Sequence, residues 1–280
     1  MADFHQESER LLLAVSRFLS EHPRAITPED VREMGMGEEG YRLLLAAWLG
    51  LDPDTRTDAA LYRACVAEMA RQLDPAPFEA DAYRQAVGSV RGREGAFTLG
   101  MEEIRPMELF VRDDMVRLGD GHVISRLGWF DRAYAYPALR ENGRIWMTVT
   151  PNEVNTIRPM AERSRGRVLC CGLGLGYYAF HALLNPAVES VTVAEIDGGL
   201  IRLFDRLLRE RFPHAERLQI VQADAFDYVR DMPAGRYDTV FVDLWHDAGD
   251  GVPLYRRMKA LEKPGSRYLY WIEDTMKFYL

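Results

Sequence analysis

Three glycines at alternate positions, Gly172, Gly174 and Gly176, end the apolar run Val168-Leu169-Cys170-Cys171 and open a helical pattern. Backbone without a Cβ approaches a ligand closely and takes positive φ at little cost. A helix starting there turns its first N–H groups and the positive end of its dipole toward the same point, which suits an anionic group. The chemistry indicated is that of a nucleotide-type ligand at the carboxyl end of a first parallel strand. The dinucleotide fingerprint needs another glycine five positions after the first. Tyr177 stands there, which argues against a dehydrogenase.

The following strands each end on an acid. Val191-Thr192-Val193 leads to Glu195-Ile196-Asp197, about 20 residues past the loop, where a carboxylate suits the hydroxyls of a ribose. A third strand, 218–222, leads to Asp224-Ala225-Phe226. Asp224 is a candidate acceptor for an adenine amino group, between Ile196 and Phe226 as apolar walls. A fourth, 237–242, leads to Asp243-Leu244-Trp245-His246-Asp247. Asp243 suits a general base for an amine or hydroxyl nucleophile, or else a hydrogen-bond acceptor for the ligand or a helix start. His246, whose imidazole can accept and donate a proton, is the second candidate for it. Trp245 and Tyr177 offer ring faces that attract a cation by roughly 0.5–2 kcal/mol, and serve equally as packing. His181 reads as a structural histidine without a ligand partner, and Cys170 and Cys171 as inert packing.

Taken together, VLCCGLGLG, VTVAEID, VQADAFDYV and YDTVFVDLWHD resemble the successive motifs of class I S-adenosylmethionine-dependent transferases, and within them the spermidine synthase-like branch. VESVTVAEID and the later GVPLY also echo that branch, and the likeness spans about residues 143 to 274. It implies an α/β fold: a Rossmann-like parallel sheet of order 3-2-1-4-5 with helices on both faces. It also implies a cofactor, S-adenosylmethionine or its decarboxylated form, with Gly172, Gly174 and Gly176 along its methionine and ribose part, Glu195 on the ribose and Asp224 facing the adenine. Ile196 and Ala225, beside those acids, are read as further cofactor contacts, Asp243 and His246 as catalytic candidates, and no metal is expected. Cys170 stands where many methyltransferases carry an acid, and the resembled branch lacks that acid too. Aminopropyltransferases carry Asp-x-x-Asp at the fourth strand tip. Here Asp243 is followed at the partner position by His246, with Asp247 one further. The Asn/Asp-Pro-Pro-Tyr motif of amino-group methylation on DNA is absent. The half-pattern favours a methyltransferase acting on a small-molecule acceptor, with aminopropyl transfer and a non-catalytic nucleotide-binding role as alternatives.

Composition narrows the setting. A net charge of −8 argues against nonspecific binding to nucleic acid, which rests on basic residues neutralising phosphates. Three cysteines, two of them adjacent, give neither a disulfide framework nor metal spacing, and the expectation is a reducing, cytoplasmic location. The polar stretch Asp3, His5, Gln6, Glu7 carries no secretory signal. The longest apolar stretch, 43–51, falls well short of the roughly 20 residues that span a bilayer.

Positioning these residues requires three stretches. Residues 1–95 read as a helical domain, with Leu11, Leu12, Val15, Phe18 and Leu19 on one face, Leu44, Leu45, Trp48 and Leu49 on a second, and Leu61, Cys65 and Met69 on a third. Thr27-Pro28 marks a helix start. Gly88, Gly92, Gly95 and Gly100 mark a boundary. Residues 105–149 read as a small antiparallel β segment with hairpin turns at Asp120-Gly121 and Asn142-Gly143. Residues 150–280 read as the cofactor-binding domain, opened by the capping box Thr150-Pro151-Asn152-Glu153. In the resembled branch this segment adds polar groups to the active site, which makes Glu153 and Asn155 secondary candidates. A fifth strand, 268–272, has an edge that needs cover, from the preceding sheet or from a second subunit in a homodimer.

Overall fold

Apolar residues every third or fourth position make the first eighty residues mostly helical, and caps set where the helices begin. The computed structural model describes residues 2–52 and 54–280, without the side chains of residues 2–5, so Asp3 and His5 lie outside the described side chains. Contacts divide the chain into two units, Met1–Glu79 with Glu103–Ala135, and Ala80–Glu102 with Tyr136–Leu280.

The first unit contains α1 (Ala2–Glu21), α2 (Pro28–Met34), α3 (Gly37–Trp48), α4 (Arg56–Leu61), a π-turn over Tyr62–Val66, α5 (Ala67–Met69), β1 (Ala70–Gln72) and α6 (Ala76–Glu79). Thr27 and Asp30 form a reciprocal capping box with Pro28 in the first turn of α2. The stripe Leu11, Val15 and Phe18 packs with Leu45, Leu49, Leu61, Cys65 and Met69 in one core. Trp48 departs from the helical reading: it stands at the rim of its stripe, 50% exposed, edge-on to Phe18. β1 falls within the stretch that periodicity reads as helical; three residues are too few to display alternation. It pairs in parallel with β5 (Val123–Trp129), itself antiparallel to β4 (Phe110–Arg117).

The second unit begins with α7 (Ala82–Val87), β2 (Gly92–Glu94) and the start of β3 (Phe97–Ile104), and resumes in β6 (Tyr134–Glu141) and β7 (Arg144–Thr148). These strands form one sheet, β2-β3-β6-β7. Asn142 and Gly143 turn the β6–β7 hairpin with both φ positive, at 50° and 83°, the conformation that makes Asn-Gly a hairpin signal. There follow α8 (Pro151–Glu162), β8 (Gly166–Cys171), α9 (Tyr177–Leu184), β9 (Val188–Glu195), α10 (Gly198–Leu207), β10 (Leu218–Gln222), α11 (Ala225–Asp231), β11 (Thr239–Val242), α12 (Ala248–Lys259), β12 (Arg267–Tyr270) and α13 (Glu273–Met276). The five strands of this run form a parallel sheet, β10-β9-β8-β11-β12. Its inner strands are apolar on both faces, as strands covered on both sides must be, and every residue of β11 is buried. β10 and β12 are the outer strands. The antiparallel strands form a sheet of their own and none of the described residues extends the ladder beyond β12, so the cover expected from the preceding sheet is not made by strand pairing. At four residues, opening on exposed Arg267, β12 is a short edge.

Ladder bonds continue past the strand ends and line the tips up. Ala223 N donates to Glu195 O (2.9 Å), Gly172 N to Ala194 O (2.9 Å), Asp243 N to Cys171 O (3.1 Å) and Trp271 N to Val242 O (3.0 Å). Glu195, Gly172, Asp243 and Trp271 therefore stand along one edge of the sheet. Among the described residues no helix is long and apolar enough to cross a membrane.

Candidate functional site

The glycine loop is shaped first by its own surroundings. Gly172, Gly174 and Gly176 all take positive φ, at 95°, 51° and 78°. A Cβ on Gly172 would lie 2.3 Å from the carbonyl oxygen of Asp243, so two strand tips touch through bare main chain. At Gly174 the obstacle is the Met147 thioether at 2.6 Å, and at Gly176 the Phe212 ring at 2.6 Å. Glu195, only 8% exposed, ties the loop to the next strand. Leu173 N donates to its Oε2 at 2.9 Å and Asp197 N to its Oε1 at 2.8 Å. A carboxylate offers about four lone-pair sites, so each oxygen keeps one for a ligand.

Two cavities open beside this loop. The first, about 350 Å³, is lined by Glu195, Ile196, Asp197 and Leu200 on one side and by Met147 and His246 on another, with Gly172, Gly174 and Asp243 between. Phe97 of β3 and Glu141 of β6 also line it. The second, about 270 Å³, shares the glycines and Asp243 and continues past Glu153, Ile157, Tyr178, Phe241 and Trp271. Trp245 lines both and carries a buried indole N–H without a partner among the described residues, a donor left for a ligand to satisfy.

Asp243 and Glu153 are the carboxylates of the second cavity. Burial, with Glu153 adding to it, pushes the Asp243 carboxyl up to about 8. Glu153 is also raised by burial, against the hydrogen bonds it receives from Thr150. It accepts from Thr150 N at 2.7 Å and from the Thr150 hydroxyl, closing the capping box of α8. Its capping role and its place in the cavity coexist, because the first turn of α8 abuts the sheet edge. Asn155 is not among the residues lining either cavity.

His246 lines both cavities, its Nδ1 3.1 Å from Asp250 Oδ2 and its ring edge-on to Trp146 at 4.8 Å. Asp247, one residue on, is spent as the cap of α12 in a box with Asp250. Ile196 is 64% exposed on the first cavity's wall. Asp224 and Ala225 sit at the neighbouring tip of β10 but outside the residues lining either cavity. Asp224 Oδ1 accepts from Phe226 N (2.8 Å) and Asp227 N (3.1 Å), capping α11.

The sequence reading missed Trp146, Met147 and Trp271, which enter the site from β7 and from the turn after β12. It also missed a buried cluster behind the loop. Asp81, 4% exposed, caps α7 through Tyr83 N at 3.0 Å, accepts from the Tyr177 hydroxyl at 3.0 Å and lies 3.3 Å from His181 Nε2. His181 thus has a partner, a protein carboxylate. Tyr83 donates its hydroxyl to Leu175 O in the loop at 2.6 Å.

A parallel sheet whose first strand runs into a glycine loop, with an acid on the second tip bonded to that loop, is the arrangement of a nucleotide-binding α/β domain. No family model matches the chain. Over 93 residues, 31% of its length, it is 37% identical to polyamine aminopropyltransferase 2 of Streptomyces coelicolor, covering 17% of that protein. Over 94 residues, 32% of its length, it is 31% identical to putrescine N-methyltransferase 1 of Nicotiana tabacum, covering 25% of that protein. The chain thus matches a quarter or less of the length of these curated relatives. Among solved structures, spermidine synthase from Thermotoga maritima aligns with TM-score 0.34 at 19% identity, over 62% of this chain and 52% of that one. A probable spermidine synthase from Corynebacterium glutamicum aligns with TM-score 0.37 at 15% identity, over 64% and 62%. Across the matched third, the chain is spermidine synthase-like.

Proposed function

We propose that this chain is an S-adenosylmethionine-dependent methyltransferase acting on a small-molecule nucleophile, an amine in the first instance. The observation that carries the reading is Glu195. It is fixed to the glycine loop by Leu173 and borders the cavity that Asp243 also lines. The residues fit the cofactor: Glu195 retains lone pairs for ribose hydroxyls, Ile196 supplies an apolar wall, and α9 starts at Gly176 without a side-chain cap, leaving its dipole for a carboxylate. Asp224, next in the sheet, is the proposed acceptor for the adenine amino group through the oxygen not used in capping.

When bound, the cofactor supplies an electrophilic methyl group on a sulfonium. The residues of the chain do the remainder. The acceptor nitrogen would take that methyl group with its lone pair, leaving the S–C pair on sulfur, and Asp243 is placed to receive the proton the nitrogen then sheds. A carboxyl lifted to about 8 is matched to that task near neutrality, because a general base works best with a pKa near the working pH. His246, held through Nδ1 by Asp250, is the route by which that proton leaves. Tyr177, Trp146 and Trp245 wall the reacting centre against water.

Aminopropyl transfer from the decarboxylated cofactor is the second reading, favoured by the 37% match to an aminopropyltransferase. Calorimetry with both cofactors separates the two. Tighter binding of S-adenosylmethionine, with label transferred from its methyl group to an amine, supports the first; tighter binding of the decarboxylated form reverses the order. Binding of neither overturns both. We also propose a homodimer that covers the free edge of β12; a monomer by light scattering refutes it.

A further inference from the structure

Resting on the reading above, we propose that the acceptor is a monoamine with an apolar, preferably aromatic, body rather than a diamine. The second cavity has one polar pole. Glu153, on the first turn of α8, and Asp243, at the tip of β11, are the only carboxylates among the described residues that line it. Four residues further along α8, one helical turn and about 6 Å away on the same face, stands Ile157.

From Ile157 onward the wall is apolar. Phe241 and Tyr178 lie ring on ring at 3.8 Å and 9°, and Trp271 adds a further aromatic wall. The polar atoms there are already used. The Tyr178 hydroxyl is 2.7 Å from Ser164 Oγ, and Trp271 Nε1 donates to Thr156 Oγ1 at 2.9 Å. The remaining titratable groups of the cavity are Cys170, whose sulfur bonds Gly172 O, and His246 and Tyr177 near the loop. None is an anion at the apolar end.

One ammonium therefore finds two neighbouring carboxyl groups, Glu153 and Asp243. A second ammonium, several bonds further along a diamine, would sit against Ile157, Phe241 and Trp271 with no counter-charge, and burying an unpaired cation is strongly unfavourable. An aromatic or alkyl body gains from the same walls. At about 270 Å³ the cavity lies at the small end of small-molecule sites, in keeping with a compact amine.

The test is calorimetry on the full chain saturated with S-adenosylhomocysteine, titrated with 2-phenylethylamine, hexylamine and 1,4-diaminobutane. The expected result is that both monoamines bind roughly tenfold or more tightly than the diamine, the scale of leaving a buried ammonium unpaired. Ile157→Glu, which places a carboxylate at the apolar end, should narrow or reverse that order. A diamine that binds the unaltered chain as tightly as the monoamines overturns the proposal, and so does a failure of all three to bind. Methyl transfer is measured separately with the same amines. Monoamine binding without turnover sinks the transferase reading and leaves the amine preference standing.

Discussion

The Glu195 carboxylate joins the glycine loop to the second strand: Leu173 N donates to one oxygen at 2.9 Å, and the other, turned to Asp197 N, holds the strand's own end at 2.8 Å. One side chain thus sets both the loop and the edge of the first cavity. Hydrogen bonds to a charged group contribute about 1.5–3 kcal/mol each. Glu195→Ala should accordingly weaken S-adenosylmethionine binding by at least about tenfold, and Glu195→Gln by less, since one acceptor survives. Calorimetric affinities for the two variants equal to that of the unaltered chain would remove Glu195 from the site.

Gly172 and Gly174 should respond differently to alanine. At Gly172 the new Cβ meets the Asp243 carbonyl at 2.3 Å, main chain that cannot turn aside, at φ 95°. At Gly174 it meets the end of Met147, which has rotamers to spare. Strained backbone of this kind costs on the order of 1–3 kcal/mol. Gly172→Ala should sit at or above the top of that range and Gly174→Ala, strained at φ 51° but not crowded by main chain, near its lower end, as read from chemical denaturation midpoints. Equal losses would mean that φ strain, not crowding, dominates.

Much of the site is legible in the chain because each part of it lies within a few residues of a strand end. A run of apolar residues that stops on a glycine or an acid announces both the strand and its tip, and Gly172, Glu195 and Asp243 are found that way. The capping boxes at Thr27 and Thr150 are equally local. What is not legible depends on which faces meet. The apolar run Ile145-Trp146-Met147 after the Asn-Gly turn says strand, but nothing in it says that Met147 rests on Gly174. Asp81 and His181 are 100 positions apart, and no spacing rule pairs them. Asp224 shows the converse limit: its place at a tip is readable, but its Oδ1 is committed to a helix start.

Asp81 should be a stability residue with an indirect effect on the loop. Burial alone would raise its carboxyl, yet hydrogen bonding and charge from His181, with Arg84 N and the Tyr177 hydroxyl, outweigh burial and hold it below the ordinary aspartate value. A depressed carboxylate contributes stability above its unfolded pKa, roughly 3.9, and loses it as pH falls through the folded value. Asp81→Ala removes one partner of a buried network, a change that costs about 3–5 kcal/mol. The gap in melting temperature between Asp81→Ala and the unaltered chain should be large at pH 7 and shrink below about pH 4. A gap that stays constant with pH would show that the carboxylate charge is not what matters.

Asp243 reverses that sign. Its folded pKa, pushed up to about 8 by burial and by Glu153, lies above the unfolded value, so between roughly pH 4 and pH 8 the native chain holds more of that proton than the unfolded chain does. Stability from this group falls as pH rises through the window. Asp243→Asn removes the titration, so the variant should gain stability relative to the unaltered chain between pH 5 and pH 9. The same group as general base predicts the opposite trend in rate. With an amine acceptor, kcat/KM should rise with an apparent pKa near 8, and Asp243→Asn should abolish that limb, general-base catalysis contributing about 10²–10⁴-fold. Glu153→Gln should move the limb to lower pH, because it removes the charge that raises Asp243 while keeping an acceptor for the capping box of α8. If the limb persists in Asp243→Asn, His246 becomes the group to substitute, and the proton goes first to its imidazole.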